Sequence, residues 1–262
     1  MDLELITQER PVLDMLIQVF DGRIKMFKLG YSYLQFRLED VALILGLRCD
    51  GDAINFKKTK ERCALEDEYF TKIVDRTRNC LVRTLMKLVE EKEAKKERSF
   101  IKLLLVYILG NLFFSTTMCS VTSWLADYVD NLSKLDQYAW AQTTQKWLME
   151  DVPSAAARVK VRCSGKTTRM RYLKGCVIAL NHWFYEVARK GKKLRFGKTP
   201  CILCYGQNSY MKQAGATALV ESLKGSQVNN CFNYVRIELL IGVAIRSFYS
   251  CIIHCKWSTY IL

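Results

Sequence analysis

The chain has 262 residues, carries 40 Lys and Arg against 26 Asp and Glu for a net charge of +14 at pH 7, and is half apolar with only 3 prolines. That length holds one large domain or two small ones with an ample core, and the composition excludes a disordered or collagen-like chain. The charge favours nucleic acid, an anionic membrane or an acidic protein surface as partner, without choosing among them.

In chain order, Met1 to Phe20 reads as a first helix, with Thr7 as cap, Pro11 in its first turn and Leu13, Leu16, Ile17 and Phe20 facing inward. Asp21-Gly22 closes it. Lys25 to Leu29 and Tyr33 to Leu38 are short alternating runs separated by Gly30-Tyr31-Ser32, which is hairpin spacing. A short helix follows from Glu39. Glu39 and Asp40 place carboxylates on its first turn, where the exposed N–H groups favour negative charge. Leu38, Val41, Ala42 and Leu45 form one face, which Ile44 and Leu47 widen until the helix packs on more than one side. Gly46 stops it and Asp50-Gly51-Asp52 makes the next turn.

Lys57 to Arg62 reads as a charged loop, and Leu65 to Glu93 as one long helix with Phe70, Ile73, Val74, Leu81, Leu85 and Leu88 inside. The mixed-charge run at 90–98 reads as its solvated end. Leu103 to Phe114 is the most apolar run. Gly110, Asn111 and the serines and threonines from Ser115 to Ser123 interrupt it, so a core helix is expected and not a membrane span. Trp124, Leu125, Tyr128, Val129 and Leu132 share a face of the next helix. Ser133 and Asp136 are spaced as a capping box for a helix that carries Trp140, Thr144, Trp147 and Leu148 on one side. Leu173, Cys176, Val177, Leu180, Phe184 and Val187 then keep helical spacing within Tyr172 to Val187. No strands alternate with helices, so the expected fold is mainly α: a multi-helix single domain with a small N-proximal β-hairpin.

Several of these stretches resemble a known family. Leu38, Glu39, Asp40, Val41, Leu45, Gly46, Leu47, Asp50 and Gly51 match, position by position, the helix start, glycine-leucine and aspartate-glycine turn of the plant mobile domain. This is the aminotransferase-like domain of the maintenance-of-meristems-like proteins. Tyr138-Ala139-Trp140 and Gly175-Cys176 are similar to two further family stretches, and the apolar run ending at Gly110 looks like its leucine-rich helix. Arg37 departs from the pattern: the family has threonine there, and arginine cannot accept N–H bonds as a cap. The resemblance covers roughly residues 9–188, and the expected division is a plant mobile domain-like helical domain over 1–200 and a divergent tail, with appended helices as one reading, over 201–262. It implies a plant nuclear protein, non-enzymatic, acting in genome stability, transposon silencing and meristem maintenance through protein interaction, with a phosphatase among such partners. The domain also occurs inside transposable elements, so an element-derived copy is a further implication.

The family's aminotransferase-like label suggests pyridoxal phosphate, which needs a Schiff-base lysine and a phosphate cup. No lysine stands out for that role, and no cofactor is expected. Ser164-Gly165-Lys166-Thr167 ends like a phosphate-binding loop, but Lys160 occupies the position that needs glycine. His182 and His254 are the only histidines, too few for a triad or a multi-histidine centre, and His182 reads as a packing or surface residue. The 11 cysteines lack pairing signatures, and with Asp2 and Glu4 near the start no secretory signal is expected, so they read as free thiols. Cys201 and Cys204 with Cys251, His254 and Cys255 offer zinc-type ligands across a long intervening stretch; the reading kept is no metal.

What remains is a basic segment. Arg158, Lys160, Arg162, Lys166, Arg169, Arg171, Lys174, Arg189, Lys190, Lys192, Lys193, Arg195 and Lys198 stand against Glu186 alone, a net +12 between 158 and 198. All but Lys174 and Lys198 are taken as candidate contacts to nucleic acid or an import factor. Two basic loops flanking one helix would make phosphate contacts that are salt-sensitive and sequence-blind. A nuclear import signal at Arg189 to Lys193, plain solubility, or a protein partner are the other readings.

Overall fold

The computed structural model describes residues 10–56, 62–91, 96–118, 120–163 and 173–188. They form a mainly helical fold with one small antiparallel sheet, as the periodicities predict. Helix α1 (Arg10–Gln18) leads into strands β1 (Phe20–Asp21), β2 (Met26–Leu29) and β3 (Ser32–Leu34), ordered β1-β2-β3. The hairpin is the expected one; β1 is an extra strand, too short to carry an alternation signal. Phe27 pairs with Phe20 on one side and with Leu34 on the other, and Lys28 pairs with Tyr33. Alternation then sorts the sheet into an inner face of Phe20, Phe27, Leu29 and Leu34, all buried, and an outer face carrying Lys28 and Tyr33.

Helix α2 (Leu38–Leu45) begins where expected. Arg37 supplies no side-chain cap; its backbone N–H donates to Asp40 Oδ2 at 2.8 Å, so the acidic residue of the first turn reaches back to do the capping. The helix closes at Gly46, whose N–H returns to Ala42 O at 2.7 Å.

The expected long helix over 65–93 is three elements: α3 (Ala64–Tyr69), a 3-10 turn (Ile73–Arg76) and α4 (Arg78–Glu91). Asp75 accepts from the Lys72 N–H at 2.7 Å and starts the 3-10 turn, and Thr77 forms an antiparallel bridge with Ser120 that pulls the backbone out of helical register. Ile73 and Val74, expected inside, are 84% and 55% exposed. Leu81, Leu85 and Leu88 are buried as expected.

The apolar run forms α5 (Glu97–Ile108), which passes into a π-helical turn at Leu109–Phe113. Among the described residues no helix is long and apolar enough to cross a membrane. Helix α6 (Trp124–Val129) ends before Leu132, and Leu132–Gln137 is a 3-10 turn capped by Asn131, whose Oδ1 accepts from Ser133 N at 3.2 Å. Ser133 is therefore inside that turn and caps nothing, and α7 (Trp140–Met149) starts later, after Ala139. Helix α8 (Val152–Cys163) was not evident from periodicity, because its apolar face is built from Val152, Ala155 and Ala156. Helix α9 (Val177–Val187) starts five residues after Tyr172, since Gly175 at φ 90 breaks the preceding backbone.

Helix α9 is the centre of the fold. It is buried on nearly every side and packs on α1 and α2. Trp183, fully buried, meets Phe27 of the sheet at 5.2 Å between ring centroids and Phe36 at 5.7 Å. Its neighbour His182 is buried and bonded through Nδ1 to Ile178 O at 2.8 Å, a packing role. A second aromatic cluster joins Phe114, Trp124, Trp140 and Trp147 between α5, α6 and α7.

Candidate functional site

The residues that carry the family-like motifs turn out to be the joints of the scaffold. Asp40 is 1% exposed, and burial pushes its carboxyl up to about 6 against the pull of the Arg37 N–H and guanidinium. The Trp183 indole lies near enough to favour the ionised form, though its Nε1 makes no hydrogen bond of ordinary length to any described residue. Val41 and Leu47 are buried, Leu38 packs at the edge of the core, and Glu39 stays in solvent at the positive end of α2.

Asp50-Gly51 and Tyr138-Ala139-Trp140, far apart in the chain, are one structure. Asp52 bridges Tyr138 in parallel: Asp52 N donates to Gln137 O at 2.6 Å and Ala139 N to Asp52 O at 3.0 Å. Arg48 grips Asp50 through Nε and Nη2, both at 3.1 Å, and donates from Nη1 to Asp136 O at 2.8 Å. Gly51 sits at φ 126, and a Cβ there would run into the Gln137 carbonyl oxygen. Trp140 completes the joint by donating from Nε1 to Leu135 O at 2.7 Å. Gly175 plays the same part elsewhere. Its N–H donates to Ser115 O at 2.9 Å, Ser115 Oγ donates back to Gly175 O at 2.8 Å, and a Cβ would come within 3.0 Å of the Leu148 backbone.

The first stretch of the basic segment, expected as a loop, is helical as far as Cys163. Arg158, Lys160 and Arg162 lie on α8. Arg158 is half-buried and donates from Nη1 to Ser154 Oγ at 2.9 Å. Lys174 lies over the Trp147 ring at 4.4 Å while its backbone N–H donates to Asp151 Oδ2 at 3.1 Å. Lys166, Arg169, Arg171, Arg189, Lys190, Lys192, Lys193 and Arg195 lie outside the described residues, as do Thr7, the loop at 57–61, the Ser164 to Thr167 run and the cysteines and histidine of the 201–262 tail.

Beside α8 runs an open groove of about 610 Å³, which sequence reading missed. Its walls are the end of α1, β1, the outer face of the sheet and the Pro153, Ala156 and Ala157 side of α8. Arg23, Lys28 and Tyr33 line it, with Asp21 the one carboxylate among the described lining residues. The signal lay in the hairpin pattern: with Phe27, Leu29 and Leu34 inward, Lys28 and Tyr33 had to face out together.

The described thiols Cys49, Cys63, Cys80 and Cys176 are free. Burial pushes Cys176 up to about 12 and Cys63 up to about 11, so both stay protonated near neutrality. Cys63, Glu66 and Asp127 bring possible ligand atoms within 4.8 Å of one another. Glu66 Oε1 already accepts from Arg76 Nη2 at 2.7 Å, so a cation there would share the carboxylate with the guanidinium.

No curated protein and no solved structure matches this chain. The profile of one family does, over residues 1–181, which takes in α1 through the first half of α9. The chain therefore belongs to the family described as a domain of unknown function, DUF8566.

Proposed function

We propose that this chain is a non-enzymatic nuclear interaction module of the plant mobile domain type, serving genome stability, transposon silencing and meristem maintenance by recruiting protein partners, a phosphatase among them. One observation carries the reading: the residues that resemble the family's motifs are used up in holding the scaffold. Asp50-Gly51 docks on Tyr138 to Trp140, and Gly175 docks on Ser115 and Leu148. Motif residues spent in this way support a module whose surface, and not a set of reacting side chains, does the work.

A fluorescently tagged full chain is expected to concentrate in the nucleus. The same chain with Lys192→Glu, Lys193→Glu and Arg195→Glu is expected to lose that concentration while keeping its circular dichroism. Immobilised full chain should retain a protein phosphatase from nuclease-treated nuclear extract. A cytoplasmic wild-type chain that retains none would overturn the proposal.

A second reading is favoured by the position of α8, which carries Arg158, Lys160 and Arg162 directly after the wall of an open groove. In it the chain binds DNA or RNA without sequence preference. Affinity for mixed-sequence nucleic acid should then fall steeply as salt rises, through release of counterions from neutralised phosphates.

A further inference from the structure

We infer that the groove between the sheet and α8 is a seat for single-stranded nucleic acid, with Tyr33 stacking on a base and Arg23 and Lys28 taking the adjoining phosphates. The inference rests on the nucleic-acid reading and names its site and its strandedness.

The size of the groove and the residues of its walls lead there. The groove has a ligand-sized volume, about 610 Å³, inside the range of cavities that hold small molecules. It takes one or two nucleotides of a flexible strand, whereas a duplex presents its bases only inside its own grooves. Its aromatic wall is open: Tyr33 is 46% exposed on the outer face of the sheet, where a core residue would be covered. Lys28, its cross-strand neighbour, holds its ammonium over the Tyr33 ring at 5.9 Å from the centroid, so a cation and an aromatic ring meet at the same part of the groove.

The α8 wall is Pro153, Ala156 and Ala157, small uncharged side chains. Among the described lining residues two cations stand against one carboxylate, and Asp21 accepts the Arg23 backbone N–H at 2.9 Å. The same α8 that forms the wall continues directly into Arg158. A basic groove with an exposed aromatic ring is the arrangement by which proteins hold single strands independently of sequence.

The test is fluorescence anisotropy of full-length protein with a labelled mixed-sequence single strand across a salt series. Tyr33→Ala is expected to weaken binding about tenfold or more, and Tyr33→Phe to restore it, because stacking needs the ring and not the hydroxyl. Lys28→Ala should lower the slope of log affinity against log salt by about one. Both side chains are exposed, so thermal melts of these variants should match the parent. If the parent binds and neither variant changes affinity, while reversal of Lys192, Lys193 and Arg195 abolishes it, the groove is not the seat and the nucleic-acid reading stands. Displacement of the strand by polyglutamate, with Tyr33→Ala without effect, would mark an acidic-peptide surface and overturn the inference. Absence of binding at low salt would overturn both.

Discussion

Asp40 shows how one side chain can serve the backbone at a cost. Its carboxylate caps α2 through the Arg37 N–H, yet it lies near the Trp183 indole with almost no access to solvent. Burial outweighs the hydrogen bond and raises its pKa to about 6, above the ordinary carboxylate value near 4. The folded state therefore holds a proton between about pH 4 and pH 6 that the unfolded chain has released, and linkage makes this contribution to stability fall as pH rises through that window. Asp40→Asn keeps an acceptor for the cap and removes the titration. Urea unfolding of the two proteins at pH 4 and pH 7 should show the parent gaining on the variant by roughly 2 kcal/mol at the lower pH. A difference independent of pH would place the Asp40 carboxyl in water. Cys176 is simpler: with its thiol pushed up to about 12 it packs as a small apolar group.

At the scale of elements, the break between α3 and α4 matters most. Ile73 and Val74 continue the apolar spacing of Phe70 and Leu81, and spacing alone makes them core residues. Local polar groups decide otherwise. Asp75 takes the Lys72 N–H, Thr77 Oγ1 donates to Val74 O at 2.8 Å, and the Thr77–Ser120 bridge offers the backbone a partner outside the helix. Ile73→Ser should consequently change stability by less than about 0.5 kcal/mol, while Leu85→Ala on α4 should cost about 2–5 kcal/mol. Chemical denaturation measures both. A large loss from Ile73→Ser would mean that this segment continues the helix and buries the side chain. The same competition explains Ser133, whose hydroxyl bonds Asn131 Oδ1 at 2.7 Å and is drawn into a 3-10 turn in place of capping α7.

For the whole molecule, the decisive contact is the closure of residues 48–52 on residues 136–141. It ties α2 to α7 through backbone bonds in both directions and through the Arg48 guanidinium. Gly51→Ala meets two penalties there, a positive φ and a collision with the Gln137 carbonyl. Its cost should be about 2 kcal/mol or more, read as a lower thermal midpoint with the far-ultraviolet spectrum kept. A midpoint equal to the parent's would show that the closure can open without loss.

The sequence by itself determined the helical class, the hairpin, the limits of α2 and most of the inner stripes, because these follow from periods of 3.6 and 2 and from caps within a few residues. It also determined that the basic charge concentrates between 158 and 198. Only the tertiary structure decided that Asp50-Gly51 and Tyr138-Ala139-Trp140 are one joint, since nothing local in either stretch names the other. It alone placed α9 at the centre and divided the expected 65–93 helix. It also set Tyr33, Lys28 and Arg23 across a groove from α8, a helix whose alanine face carries too little hydrophobic contrast to be read in advance. Caps and periodicities are short-range and leave marks in the chain, whereas the approach of distant segments depends on which buried surfaces fit, and that information is spread over the whole core.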